Sequence, residues 1–156
     1  MTEFTHLDEA GQARMVDVTA KQPTVRSATA RAKVACSNEV VTALRDGTVP
    51  KGDVLAVARI AGISATKKVP DLLPLAHLIG VHGARVDLEI VPDGVEIEVE
   101  VRTADRTGVE MEALTAAAVA ALAIVDMVKG VDRSAEIANA RVVAKSGGRS
   151  GDWRRE

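Results

Sequence analysis

Aromatic residues are almost missing from this 156-residue chain: it has no tyrosine, and Phe4 and Trp153 stand alone near its two ends. The long middle therefore has no ring on which to stack a base, which removes the aromatic platforms of single-strand nucleic-acid binders. Its core must come from Ala, Val, Leu and Ile, which suit close packing of helices on a sheet. Cysteine is scarcer still. Cys36 is the only one, so no intramolecular disulfide can form, and its place at the end of an alternating run suits a small buried hydrophobe. Neither charge sign dominates; the net charge of −2 gives no electrostatic footprint for nucleic acid or a membrane surface. No unbroken apolar run reaches the ~18 residues of a bilayer span. The opening MTEFTHLDEAG is acidic and polar, unlike a secretory signal. No Cys/His/Asp spacing matches a metal centre. A cytoplasmic protein, with no resident metal and neither nucleic acid nor membrane as partner, is expected.

What is present in quantity is apolar surface: 47% of residues, enough in a chain of this length for one domain with a sizeable core. Much of it lies in GVEMEALTAAAVAALAIVDMVKG, Gly108 to Gly130. From Met111 to Val128 this stretch has no Gly or Pro and is rich in Ala and Leu, so a helix is predicted. Thr107 and Glu110 have the spacing of a capping box, and Lys129-Gly130 that of a helix end. Glu112, Thr115, Asp126 and Lys129 fall within an arc of roughly 100°, leaving the rest of the helix apolar. Charges on a buried helix need partners or a task. Asp126 and Lys129, one turn apart, can serve one site. Glu112 and Asp126 are separated by about 21 Å along the axis, so they have different uses or a second subunit completes the site.

The remaining segments fall into order around that helix. Residues 1–26 lack periodicity and read as an arm. Ser27–Cys36 alternates as a strand, and Asn38 can cap a short helix that Gly47 ends. Asp53 can cap a second helix, Val54 to about Lys67, leaving Lys51 just outside its N-terminus. That lysine is either a surface residue in a loop or one poised for acid–base work or a phosphate. Val69–Gly80 reads as an apolar connection holding His77, either a hydrogen-bonded core residue or a working one. Arg85–Val91 and Val95–Thr103 alternate around Pro92-Asp93-Gly94, a hairpin signal. The expected register sets Glu89 against Glu98 and Asp87 against Glu100, so the outer face is either solvated or covered by another subunit. Ala135–Val143 reads as a last strand. Lys145-Ser146-Gly147-Gly148-Arg149 beyond it is either an anion-binding loop or a frayed tail. The result is an α+β fold: a ferredoxin-like (split βαβ) antiparallel sheet with helices packed on one face and one extra helix. Its core spans 27–145, between the arm and a glycine-rich tail of 146–156.

Five ordered segments, THLDEAGQARMVDVTAK, KGDVLAVARIAG, DLLPLAHL, TGVEMEALTAAAVAALAIVDMVKG and AKSGGRSGDW, together resemble the MoaC family of molybdenum cofactor biosynthesis, from about Thr5 to Trp153. The resemblance implies a cyclic pyranopterin monophosphate synthase, a phosphorus–oxygen lyase. It would take the cyclised dihydroguanosine 5′-triphosphate made by a radical-SAM GTP cyclase and release pyrophosphate. It implies a homohexamer, a trimer of dimers with sites between subunits, and no cofactor beyond a Mg2+ ion travelling with the phosphates. Carried onto this chain, Asp126 matches the family's catalytic aspartate and Lys51 the lysine that works with it. Leu75, Ala76 and His77 match one substrate-binding segment, Met111 and Glu112 another, and Lys129 the lysine beyond the aspartate. Ala76-His77-Leu78 departs from the Cys-His-Pro frequent in the family, so no thiol is essential here. By charge, Lys21, Arg26, Lys67, Lys68, Lys145 and Arg149 are candidates for the polyphosphate. Glu112 suits a guanidino group, while Lys51, Asp126 and His77 can move protons. The competing readings are a non-catalytic sensor and an interface scaffold on the same fold.

Overall fold

Alternating alanine and valine lay the strand β1 (Thr24–Ala35) down the middle of a sheet. The computed structural model describes residues 5–156, so Phe4 lies outside the described residues. β1 pairs antiparallel with β3 (Gly94–Asp105) on one side and β4 (Glu136–Ser146) on the other. β2 (Gly83–Val91) extends the β3 edge, and β5 (Trp153–Arg154) adds two residues beside β4. Between β1 and β2 the chain forms α1 (Asn38–Asp46), α2 (Val54–Ala65) and the single turn α3 (Val69–Leu72); α4 (Glu110–Val128) joins β3 to β4. The order β2-β3-β1-β4-β5 is the ferredoxin-like arrangement expected, with α3 and β5 as further additions. β1 starts at Thr24, inside the stretch read as an arm, and β5 returns part of the C-terminal stretch to the sheet.

One face of the sheet is apolar. Ala28, Ala30, Ala32 and Val34 of β1 and Val95, Ile97, Val99 and Val101 of β3 are buried against Ala113, Ala116, Ala117, Ala120, Ala121 and Ile124 of α4. Small alanines let the helix lie close to the strands, as the shortage of aromatics requires. The opposite face is charged. Arg31 pairs with Glu98 at 2.7 Å, Lys33 with Asp93 at 2.7 Å, and Arg85 with Glu100 at 3.6 Å. The cations that relieve the acidic hairpin come mainly from neighbouring β1, a partner that the local pattern of the hairpin does not reveal.

Several expectations need correction. The hairpin register is two residues off: Asp87 faces Glu98 and Glu89 faces Glu96. Val91 pairs directly with Gly94, so only Pro92 and Asp93 form the turn. Thr107 does not cap α4, whose N-cap residue Val109 makes no side-chain bond. Glu110 turns instead towards Lys145, 3.4 Å away. Gly130 is not the left-handed stop expected, because Lys129 ends α4 in right-handed geometry. α1 is capped by Ser37, which accepts from the Val40 N–H, and not by Asn38. Counting unbroken apolar residues also understates α4: its 19 residues are long and apolar enough to cross a bilayer, Glu110, Glu112 and Asp126 notwithstanding. In this fold α4 is the core helix, with half of its apolar length buried.

Candidate active site

The Asp53 side chain accepts the Ala56 N–H at 3.0 Å and fixes the start of α2, with Lys51 hanging just before it. α2 runs back along α4. Gly62 permits the close approach, since a Cβ there would stand 3.2 Å from the Ala116 carbonyl and the Val86 methyl. The start of α2 consequently meets the end of α4. Lys51 Nζ donates to the Asp126 carbonyl at 2.9 Å and to its Oδ2 at 3.3 Å; Lys129 Nζ donates to Oδ1 at 2.6 Å. The two ammonium groups, Lys129 foremost, hold the Asp126 carboxyl below the usual carboxylate range. These three side chains are 46%, 55% and 56% exposed for Lys51, Asp126 and Lys129. Ion pairs this wet are individually weak, so an incoming anion can draw either lysine away from the aspartate.

The other end of α4 borders a different cavity, about 610 Å³, lined by Leu75, Ala76, His77, Met111 and Glu112 among others. Glu112 is only 4% exposed. Burial pushes its carboxyl up to about 7; its own backbone N–H opposes the rise and the nearby Glu110 charge adds to it. His77 contacts the Val16 carbonyl through Nε2. A carbonyl only accepts, so Nε2 carries the proton and a neutral ring is left with Nδ1 as an acceptor.

A third cluster lies where β1 begins. Lys21, Gln22, Thr24, Arg26, Gly148, Arg149 and Ser150 line a cavity of about 560 Å³. Arg26 donates from Nε to the Asp105 carbonyl at 3.1 Å and from Nη2 to that of Arg106 at 3.3 Å; Arg106 Nε in turn holds the Lys21 carbonyl at 2.9 Å. Lys145 pairs with Glu110 and donates to Ser150 Oγ, tying this cluster to the N-terminal end of α4.

The residues picked out from sequence thus fall into three groups: Lys51, Asp126 and Lys129; Leu75, Ala76, His77, Met111 and Glu112; Lys21, Arg26 and Arg149, with Lys145 between the last two. Lys67 and Lys68 are exposed beyond the C-terminus of α2 and line none of these clusters. Arg106 escaped the sequence reading; nothing local marks it, and its partner Lys21 is 85 residues away. Among the described residues no group of three His, Cys, Asp or Glu side chains is placed to hold a metal ion.

A ferredoxin-like sheet whose core helix carries an ion-paired carboxylate at one end and a buried, titratable carboxyl near a cation-lined cavity at the other has the equipment of an enzyme for a small polyanion. Comparison with known proteins narrows this class. Residues 15–148 match the MoaC family, and the chain belongs to that family. A cyclic pyranopterin monophosphate synthase of Streptomyces coelicolor is 58% identical over 152 residues, covering 97% of this chain and 89% of its own. Proteins of the same description from Nocardioides sp. and Roseiflexus sp. are 56% and 55% identical over 155 residues. They cover 97% and 98% of this chain and 95% and 98% of their own lengths.

Proposed function

We infer that this chain is a cyclic pyranopterin monophosphate synthase acting in molybdenum cofactor biosynthesis. Its substrate is (8S)-3′,8-cyclo-7,8-dihydroguanosine 5′-triphosphate, supplied by a radical-SAM GTP cyclase, and pyrophosphate is the second product. The observation that carries this reading is the Lys51–Asp126–Lys129 cluster in a chain of this family; the resemblance carries the catalytic aspartate and its lysine onto Asp126 and Lys51. Opening and re-closing the purine-derived ring requires protons to be taken and returned. Asp126, held ionised by its two lysines, is the acceptor, and Lys51 is the group that returns a proton. Forming the cyclic phosphate expels pyrophosphate, and Lys129 is the cation for the charge that develops. At the other end, Glu112 offers a carboxyl to the guanidino-type N–H groups of the base, and Lys21 and Arg26 offer cations to the phosphates.

Glu112 and Asp126 are too far apart in one chain for one small substrate to touch both. A second copy closing over α4 resolves this, and exposed Val57, Ile60 and Leu122 on α2 and α4 favour such packing. We propose the hexamer, a trimer of dimers, on those grounds. The reaction as read needs no resident cofactor. A Mg2+ ion on the triphosphate belongs to the substrate, and turnover with and without EDTA tests the requirement.

The decisive experiment is pyrophosphate release from the cyclised triphosphate. Wild-type protein should release it, and Lys51→Ala and Asp126→Asn should each lower turnover by about 100-fold or more while still binding substrate. Near-normal turnover in both variants would overturn the assignment.

A further inference from the structure

Arg26 is fixed on three sides. Two of its donors are committed to the carbonyls of Asp105 and Arg106 at the end of β3. On the third side its Nη1 lies over Gly148, where a Cβ would come within 2.3 Å of that nitrogen and 3.0 Å of the guanidinium carbon. Gly148 has φ +79°, which turns the loop after β4 back against the start of β1. Nη1 itself makes no hydrogen bond among the described residues, and Arg26 and Gly148 line the same cavity with Lys21 and Arg149. A flat guanidinium is thereby aimed, by what the glycine lacks, with a free donor edge in a cation-lined cavity.

We propose that Gly148 is a positioning residue for Arg26. By leaving out a Cβ it lets the guanidinium lie in the orientation in which it takes a phosphate group of the substrate. This rests on reading the cavity as the polyphosphate end of the site. The atom that a methyl group at 148 would strike is the far end of a flexible side chain. The substitution therefore displaces Arg26 and leaves the sheet alone.

The test compares Gly148→Ala with Gly151→Ala. Gly151 has φ +67° in the same loop, but a Cβ there meets nothing within 4 Å, so it carries the backbone strain without the collision. Gly148→Ala should raise KM for the cyclised triphosphate about tenfold, the scale of one charge-assisted hydrogen bond, and weaken inhibition by pyrophosphate equally. Its kcat should stay within about twofold of wild type. Gly151→Ala should do neither. On an Arg26→Ala background, Gly148→Ala should add nothing. Equal effects of the two glycine variants, or additivity with Arg26→Ala, would overturn the proposal. If Gly148→Ala does not fold, Arg26→Lys reads the same point: it keeps the charge and loses the fixed fork, so KM should still rise, and an unchanged KM overturns the idea. An Arg26→Ala variant with wild-type KM and pyrophosphate inhibition would instead sink the reading of the cavity. A raised KM there with none in Gly148→Ala sinks the positioning role alone.

Discussion

Glu112 is the residue whose surroundings work hardest against its chemistry. Its carboxyl rises from an ordinary 4.5 to about 7 because burial penalises the charge. An acid whose folded-state pKa is raised leaves stability intact below its unfolded value and takes it away as pH climbs through the folded one. The loss here runs from about pH 4.5 to about pH 7 and amounts to about 3 kcal/mol for a shift of this size. Glu112→Gln should accordingly be more stable than wild type at pH 8 and nearly equal at pH 4.5, as read from urea midpoints across that range. A constant difference between the two proteins would contradict the burial account. Asp126 shows the opposite case, since two lysines favour its charged form. Its acidity was legible only in part. Lys129 is three residues away on the same helix, but Lys51 is 75 residues away and meets it only through the packing of α2 on α4.

At the scale of elements, local chemistry was readable at some helix ends where a single residue decides the outcome. Asp53 starts α2 and Gly47 ends α1 in a left-handed conformation, both as anticipated. Two of the misreadings share one cause: a distant partner outbids a local motif. Glu110 abandons the capping box for Lys145, and the hairpin closes one residue earlier than its Pro-Asp-Gly tripeptide suggests. Gly94 shows why that early closure holds. It has φ +150°, pairs with Val91, and sits so close to β1 that a Cβ would overlap the Val34 carbonyl. Backbone cannot swing aside as a side chain can. Gly94→Ala should therefore cost about 3 kcal/mol or more, checked by thermal and urea unfolding. A loss under about 1 kcal/mol, the ordinary scale of a single substitution, would show that β1 and β3 are less tightly joined than described.

Across the whole molecule, the sequence revealed the one-sided sheet and the greasy central helix, but not how much of that helix stays open. Leu122 is 58% exposed and Ile60 68%, on helices whose opposite faces pack inward. If copies meet there, Leu122→Glu should lower the solution mass towards that of one 16.3 kDa chain, as light scattering would record, and should depress turnover with it. Unaltered mass would place the contact elsewhere. The distance along α4 between Glu112 and Asp126 has a genetic corollary. Two inactive mutants, one defective at each end of the rod, should rescue each other when refolded together, because mixed assemblies regain some chambers with both carboxyl groups intact. Two mutants defective at the same end have no such remedy.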